Sequence, residues 1–177
     1  MPEQPATTLD LTQFSREPGE SRTMEIDLYL PPIHLAGQDY GFVPDTVPAR
    51  IALIFTGSGF NIEMKFSASL EGECWRCLEP ARIDLDVDVQ DFFEIERPPV
   101  GEMAEEDEAS FWYEEDGTLN LSAWARDAAA EQLPSKILCD PECRGLCPQC
   151  GVNLNVVTCG CEPPADSRWD KLRELLD

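Results

Sequence analysis

The alternation of apolar and polar residues is clearest from Phe60 to Glu71. There Phe60, Ile62, Met64, Phe66, Ala68 and Leu70 alternate with Asn61, Glu63, Lys65, Ser67, Ser69 and Glu71. Successive side chains of a strand point to opposite faces, so this period of two predicts a strand with one buried face and one wet face. The pattern returns in Ile83, Leu85, Val87 and Val89 against Asp84, Asp86, Asp88 and Gln90. The two segments are expected to pair as an antiparallel hairpin whose tip is Cys74-Trp75-Arg76-Cys77-Leu78-Glu79-Pro80. A shorter alternation, Met24, Ile26, Leu28 and Leu30 against Glu25, Asp27 and Tyr29, predicts another half-buried strand, stopped by Pro31-Pro32. Arg50 to Thr56 is apolar on both phases and reads as a central strand, closed by the turn signal Gly57-Ser58-Gly59. Ile33 to Pro48 carries two Gly and two Pro and reads as loop.

The period changes near residue 121. Leu121, Trp124, Ala125, Ala128 and Gln132 fall on one stripe of a helix running to Leu133, with Asn120 or Ser122 as its cap and Pro134 as its stop. Trp124 reads as core. At the end of the chain, Asp166 or Ser167 can cap a terminal helix bearing Trp169, Leu172 and Leu176, short enough that it must dock to persist. The expected fold class is therefore α+β, a strongly twisted antiparallel sheet with a few helices. Residues 1–22 read as a flexible tail, with Leu9, Leu11 and Phe14 able to dock as a short strand. Residues 23–135 form the sheet-based core with an acidic insertion at 94–117. Residues 136–177 read as a Cys-rich tail and the terminal helix.

The chain has 177 residues, of which 42% are hydrophobic, enough for a globular core and against wholesale disorder. No stretch reaches the roughly 18 apolar residues of a membrane-spanning helix, so no membrane association is expected. The start of the sequence has no basic residue followed by an apolar run, so the expected compartment is the cytoplasm. The formal net charge is −22. Such a surface repels phosphate and disfavours broad nucleic-acid affinity, but it attracts and steers basic partners. The acidity peaks between Glu94 and Asp116, with ten carboxylates against the single Arg97. That run reads as a solvated loop, or as a docking surface for a basic protein with Phe111, Trp112 and Tyr113 as apolar anchors.

Eight cysteines change the picture most: Cys74, Cys77, Cys139, Cys143, Cys147, Cys150, Cys159 and Cys161. In a reducing compartment their close pairs suit a tetrahedral metal ion better than a disulfide framework, because each short turn aims two thiolates at one point. The segment Cys147-Pro148-Gln149-Cys150-Gly151 has the form of a zinc knuckle, with Gly placed for a tight turn. Cys147, Cys150, Cys159 and Cys161 can close one site locally, leaving Cys74 and Cys77 to join Cys139 and Cys143 across the chain. The alternative joins the two C-x2-C knuckles, Cys74/Cys77 with Cys147/Cys150. Closure entropy grows slowly with loop length and favours the first only slightly. One or two structural Zn2+ ions are expected, since four thiolates leave no open position for water.

No catalytic constellation is legible. His34, the only histidine, lies in a Pro-flanked loop without a nucleophile beside it, and there is no Walker loop or dinucleotide fingerprint. The residues read as a metal-stapled binding or assembly protein, not an enzyme and without a small-molecule substrate.

The segments Cys74-Trp75-Arg76-Cys77-Leu78 and Cys139-Asp140-Pro141-Glu142-Cys143-Arg144-Gly145-Leu146-Cys147-Pro148-Gln149-Cys150-Gly151-Val152-Asn153-Leu154-Asn155 resemble the YceD family, the large ribosomal RNA subunit accumulation proteins. Cys159-Gly160-Cys161 with Arg168 and the helix after it extend the resemblance. It implies a bacterial or plastid cytosolic factor for ribosome biogenesis, needed for large-subunit ribosomal RNA to accumulate, with no catalytic mechanism attached. On this basis the acidic surface is expected to hold a basic ribosomal protein or assembly factor and to limit its premature association with RNA. A second expectation is direct contact with ribosomal RNA through Arg76, Arg144, Asn153, Asn155 and Arg168, with Trp75 exposed at the hairpin tip as a further partner contact. A third is a thiol-redox role, which requires Cys74 or Cys77 to be free of metal.

Overall fold

The computed structural model describes residues 6–35, 37–94, 112–113 and 116–161. Its frame is the predicted hairpin. Strands β6 (Gly59–Glu73) and β7 (Pro80–Glu94) pair antiparallel over their full lengths, from Gly59↔Glu94 to Glu73↔Pro80. The other edge of β6 is shared. Its first half pairs with β5 (Thr46–Phe55) and its second half meets β4 (Gln38–Phe42) at Gly41↔Glu71 and Phe42↔Leu70. Strand β2 (Ser21–Tyr29) extends the sheet beyond β5, and β3 (Ile33–Leu35) extends it beyond β4. All these pairings are antiparallel.

The period-two pattern decides which face is covered. Phe60, Ile62, Met64 and Leu70 of β6 are fully buried, with Leu28 of β2 and Ile51 of β5 beside them. Burying each such side chain stabilises the fold by roughly 1.5–3 kcal/mol. The opposite face stays open, and Asp84, Asp86 and Asp88 of β7 stand on it in a row. Ser69 and Ser67 donate to Asp84 and Asp86, both at 2.6 Å, and Lys65 pairs with Asp88 at 3.0 Å.

The covered face is closed by one helix and a small second sheet. Helix α1 (Leu121–Glu131) starts at Asn120, whose side chain accepts from the N–H of Ala123 at 3.0 Å. Its inner stripe of Leu121, Trp124, Ala125, Ala128 and Ala129 is buried, and Trp124 meets Phe93 edge-on with 5.2 Å between centroids. Strand β1 (Thr8–Asp10) pairs with β8 (Thr118–Asn120), and Leu11 follows β1 into the core. Ser122, buried at 1% exposure, joins three segments: its hydroxyl donates to Tyr29 O at 2.7 Å and accepts from Thr7 N at 2.8 Å.

Three differences from the sequence reading have physical causes. The stretch Ile33 to Pro48, read as loop, contributes β3, β4 and the start of β5. Its ladders run to distant and neighbouring strands alike, Gly41 and Phe42 to the second half of β6, β3 to β4 and Thr46–Pro48 to β2, and these pairings outweigh the local Gly and Pro signals. The first residues are not wholly a loose tail, because β1 and Leu11 dock as the apolar positions there allow. The fold is mostly sheet, with α1 the one α-helix among the described residues, in place of an α+β fold with a few helices. The terminal helix bearing Trp169, Leu172 and Leu176 lies outside the described residues, as do Arg168 and most of the acidic run. Trp112 and Tyr113 are not free anchors. Both pack against the core, and the Trp112 indole donates to Asp127 at 2.8 Å. No helix among the described residues is long and apolar enough to cross a membrane.

Candidate metal centres

The first centre is built on the end of the β6–β7 hairpin. Beyond the last ladder pair the chain has only Cys74 to Glu79 in which to reverse. Cys74 N donates to Glu79 O at 2.8 Å and Leu78 N returns to Cys74 O at 3.0 Å, with Leu78 in the left-handed region at φ 63°. This tight loop turns Cys74 and Cys77 to the same side, both buried. The segment after α1 is laid across the tip by main-chain bonds: Trp75 N donates to Ile137 O at 2.9 Å and Leu146 N to Arg76 O at 3.0 Å. Cys139 and Cys143 are thereby delivered to the tip. Cys77 and Cys139 sulfurs stand 3.5 Å apart, and those of Cys74 and Cys143 stand 3.8 Å apart.

The second centre repeats the same loop. Cys147 N donates to Val152 O at 2.8 Å, Gly151 N donates to Cys147 O at 2.9 Å, and Gly151 has φ 73°. Cys147 to Val152 thus superposes in its bonding on Cys74 to Glu79, with Gly151 at the place of Leu78. Cys159 and Cys161 return to complete the cluster, and its four sulfurs lie within 4.8 Å of one another, as do those of the first. Burial distinguishes the two. In the first only Cys139 is exposed, whereas in the second only Cys147 is buried.

The donor sets fit a tetrathiolate ion. Metal–sulfur bonds of ~2.3 Å in a tetrahedron place sulfurs roughly 3.8 Å apart, close to the separations in the first cluster. A disulfide would need about 2.05 Å, and all eight cysteines are free thiols. The pairing is the local-plus-long-range one. The alternative, joining the two knuckles to each other, is not what the chain does. A cleft of about 520 Å³ beside the first cluster, lined by Cys77, Glu79, Cys139, Asp140 and Glu142 among others, gives an ion a path to the exposed thiol.

Electrostatics prepare each cluster for a cation. Burial presses the Cys74 thiol upward, but N–H groups of Cys139, Arg76 and Cys77 outweigh it and hold it at about 6. N–H groups of Cys150 and Gln149 bring Cys147 to about 6. The Cys77 sulfur pushes Cys139 up to about 12, and the Cys150 sulfur does the same to Cys161. In the first cluster Cys74 and Cys143 are thus biased toward the thiolate and Cys77 and Cys139 toward the thiol, and in the second Cys147 and Cys161 are biased in the same opposite senses.

Of the residues expected to contact a partner, Arg168 lies outside the described residues, and Trp75, Arg76, Arg144, Asn153 and Asn155 fall around the first centre, where several of their polar atoms are engaged by the loop itself. The Arg76 guanidinium donates to Cys143 O at 2.7 Å. Asn155 accepts from Arg144 N at 2.7 Å and donates to Cys143 Sγ at 3.3 Å. Asn153 accepts from Asn155 N at 3.0 Å. Trp75 is 37% exposed, with the Lys136 ammonium 5.4 Å from its ring centre. Arg144 keeps an exposed side chain. His34 pairs with Asp39 at 2.7 Å on the surface and belongs to neither cluster. Spacing alone did not reveal these bonds to the sulfurs. The one available signal was the shared form of the two knuckles, where a Gly in one marks the left-handed position in the other.

A family profile described as "Large ribosomal RNA subunit accumulation protein YceD" matches residues 62–176, a span that contains all eight cysteines. An uncharacterized protein of Mycobacterium bovis is 31% identical over 172 residues, covering 96% of this chain and 81% of its own. One from Mycobacterium tuberculosis has the same figures. One from Mycobacterium leprae is 29% identical over 150 residues, covering 74% of this chain and 68% of its own. No solved structure matches the chain.

Proposed function

The chain belongs to the YceD family of large ribosomal RNA subunit accumulation proteins, and from that premise we propose that it is a non-enzymatic, cytoplasmic ribosome-biogenesis factor held in shape by zinc. Cys74, Cys77, Cys139 and Cys143 hold one ion, and Cys147, Cys150, Cys159 and Cys161 hold the other. Bound by four thiolates, such an ion supplies a cross-link and offers no position for a reacting water. Its effect is to fasten the tail to the hairpin tip, residues that lie more than sixty positions apart in sequence.

The protein's work on the ribosomal pathway is to hold a basic ribosomal protein or assembly factor. The observation that carries this reading is the open face of the sheet. Two of its bases are already committed, Lys65 to Glu63 at 2.8 Å and to Asp88 at 3.0 Å, and Arg82 to Glu71 at 3.2 Å and to Asp84 at 3.0 Å, while Arg50 stands exposed beside Lys65 on the same face. The remaining carboxylates on that face, within a chain of net charge −22, are free to meet cations on a partner. Complementary charge speeds encounter and fixes orientation, and it keeps a basic protein from binding RNA out of turn.

Tagged protein, incubated with nuclease-treated large-subunit ribosomal proteins, tests this directly. Basic proteins should be retained at low salt and released at high salt. If none is retained even at low salt, the holding role is wrong. In a parallel incubation without nuclease treatment, retention of ribosomal RNA in place of protein would favour direct RNA contact through Arg144 and its neighbours.

A further inference from the structure

The loop that belongs to the second centre also forms part of the surroundings of the first. Asn155 lies between Cys150 and Cys159, within the loop that the second cluster closes. Its carboxamide, however, faces the first. The Nδ2 group donates to Cys143 Sγ at 3.3 Å, while Oδ1 accepts from Arg144 N at 2.7 Å. The loop is held in this position by Leu154 N donating to Gly145 O at 2.9 Å and by the bridge between Leu146 and Asn153. Its beginning is fixed to the second knuckle by Cys147 N donating to Val152 O at 2.8 Å. Only three residues, Arg144, Gly145 and Leu146, separate a ligand of the first cluster from a ligand of the second.

A tetrathiolate site around a divalent ion carries excess negative charge, and N–H donors to its sulfurs offset that charge and orient the ligands. Cys74 receives such a bond from Arg76 N within its own knuckle, at 3.4 Å. Cys143 receives one from a side chain that the other centre delivers.

We propose that Asn155 is an outer-sphere residue of the first centre and couples the two, so that the ions bind cooperatively. A filled second centre presents Asn155 to Cys143 and tightens the first. By reciprocity a filled first centre tightens the second by the same factor. The inference rests on both clusters being metal sites. A chain that takes up fewer than two ions defeats that reading, whereas two ions with independent affinities defeat the coupling alone.

The test uses the full chain and Co2+, whose thiolate charge-transfer absorption reports ligation, with affinities taken by competition against a chromophoric chelator. Asn155→Ala changes no ligand, yet it should weaken the first centre by about 10- to 100-fold, the usual cost of losing an outer-sphere partner. Removing the second centre with Cys159→Ser and Cys161→Ser should weaken the first by about 5- to 150-fold, the usual range of coupling between sites. In the Asn155→Ala background that second effect should shrink towards nothing. Asn155→Asp keeps the acceptor for Arg144 N but turns a carboxylate toward the sulfurs, so it should weaken the first centre at least as much as Ala. If Asp restores ordinary affinity, Asn155 merely shapes the loop. If the first centre binds Co2+ equally well with and without the second, the coupling does not exist.

Discussion

Leu78 and Gly151 occupy the same place in the two knuckles, both with positive φ, at 63° and 73°. A side chain at such a position costs roughly 1–2 kcal/mol, which the first knuckle tolerates. Gly145 is under a stricter demand. Its φ is 74°, and a Cβ there would lie 2.9 Å from the Arg76 carbonyl oxygen, a backbone atom anchored by the hairpin. Urea denaturation of the metal-loaded protein should therefore rank three substitutions. Gly145→Ala should cost about 2 kcal/mol or more, Gly151→Ala about 1 kcal/mol, and Gly160→Ala, in open space with no positive φ, close to nothing. Equal effects at Gly145 and Gly160 would contradict the close approach to Arg76. The thiols give a second expectation at this scale. Binding requires four thiolates per ion, and Cys139 and Cys161, raised to about 12, are protonated at neutral pH. Zinc addition should thus release protons, and affinity should rise with pH. It should fall most steeply below about 6, where Cys74 and Cys147 protonate as well. Zinc binding without acidification of a weakly buffered solution would contradict these assignments.

Among the elements, α1 depends on a single polar residue to hold three parts of the chain. Ser122→Ala would leave Tyr29 O and Thr7 N without their partner in a buried place, at a cost of about 1–3 kcal/mol. Asn120→Ala, at the half-buried cap, should cost about 1 kcal/mol. Thermal unfolding of the two variants checks the order, and a smaller loss at Ser122 would contradict its joining role. The hairpin was legible in the sequence because each of its strands advertises its own buried face, Phe60 to Leu70 on one and Ile83 to Val89 on the other. Helix α1 was legible for the same reason. Strands β3 and β4 were not. Tyr40 is buried with its ring against Gly72 and its hydroxyl 3.1 Å from Glu73 O, thirty-three residues away, and nothing within Gln38–Phe42 announces those partners. The cysteine residues announced metal chemistry, but loop entropy could not choose their pairing. The choice is made by main-chain bonds, Trp75 to Ile137 and Leu146 to Arg76, that no spacing rule contains. Asn153 and Asn155 were read as partner contacts from their place beside the metal sites; the bonds they make within the chain, Asn153 with Asn155 N and Glu79 and Asn155 with Arg144 N and Cys143 Sγ, were not legible from spacing.

At the scale of the molecule, a twisted sheet covered on one face is completed by a tail that buries little apolar surface of its own. Cys139 to Cys161 holds few large hydrophobic side chains, and Val156 and Val157 are exposed at 78% and 46%. Such a segment cannot maintain its shape by packing, so its order depends on cross-links. On the proposed reading, the open face of the sheet and the net charge of −22 meet a basic partner, and metal at the two clusters holds the tail in place. The most direct measurement is elemental analysis of the natively purified protein, combined with iodoacetamide labelling before and after chelation. The account predicts two zinc ions per chain and thiols that react freely only once the metal is removed. A metal-free chain whose sulfurs are oxidised to one another would contradict it.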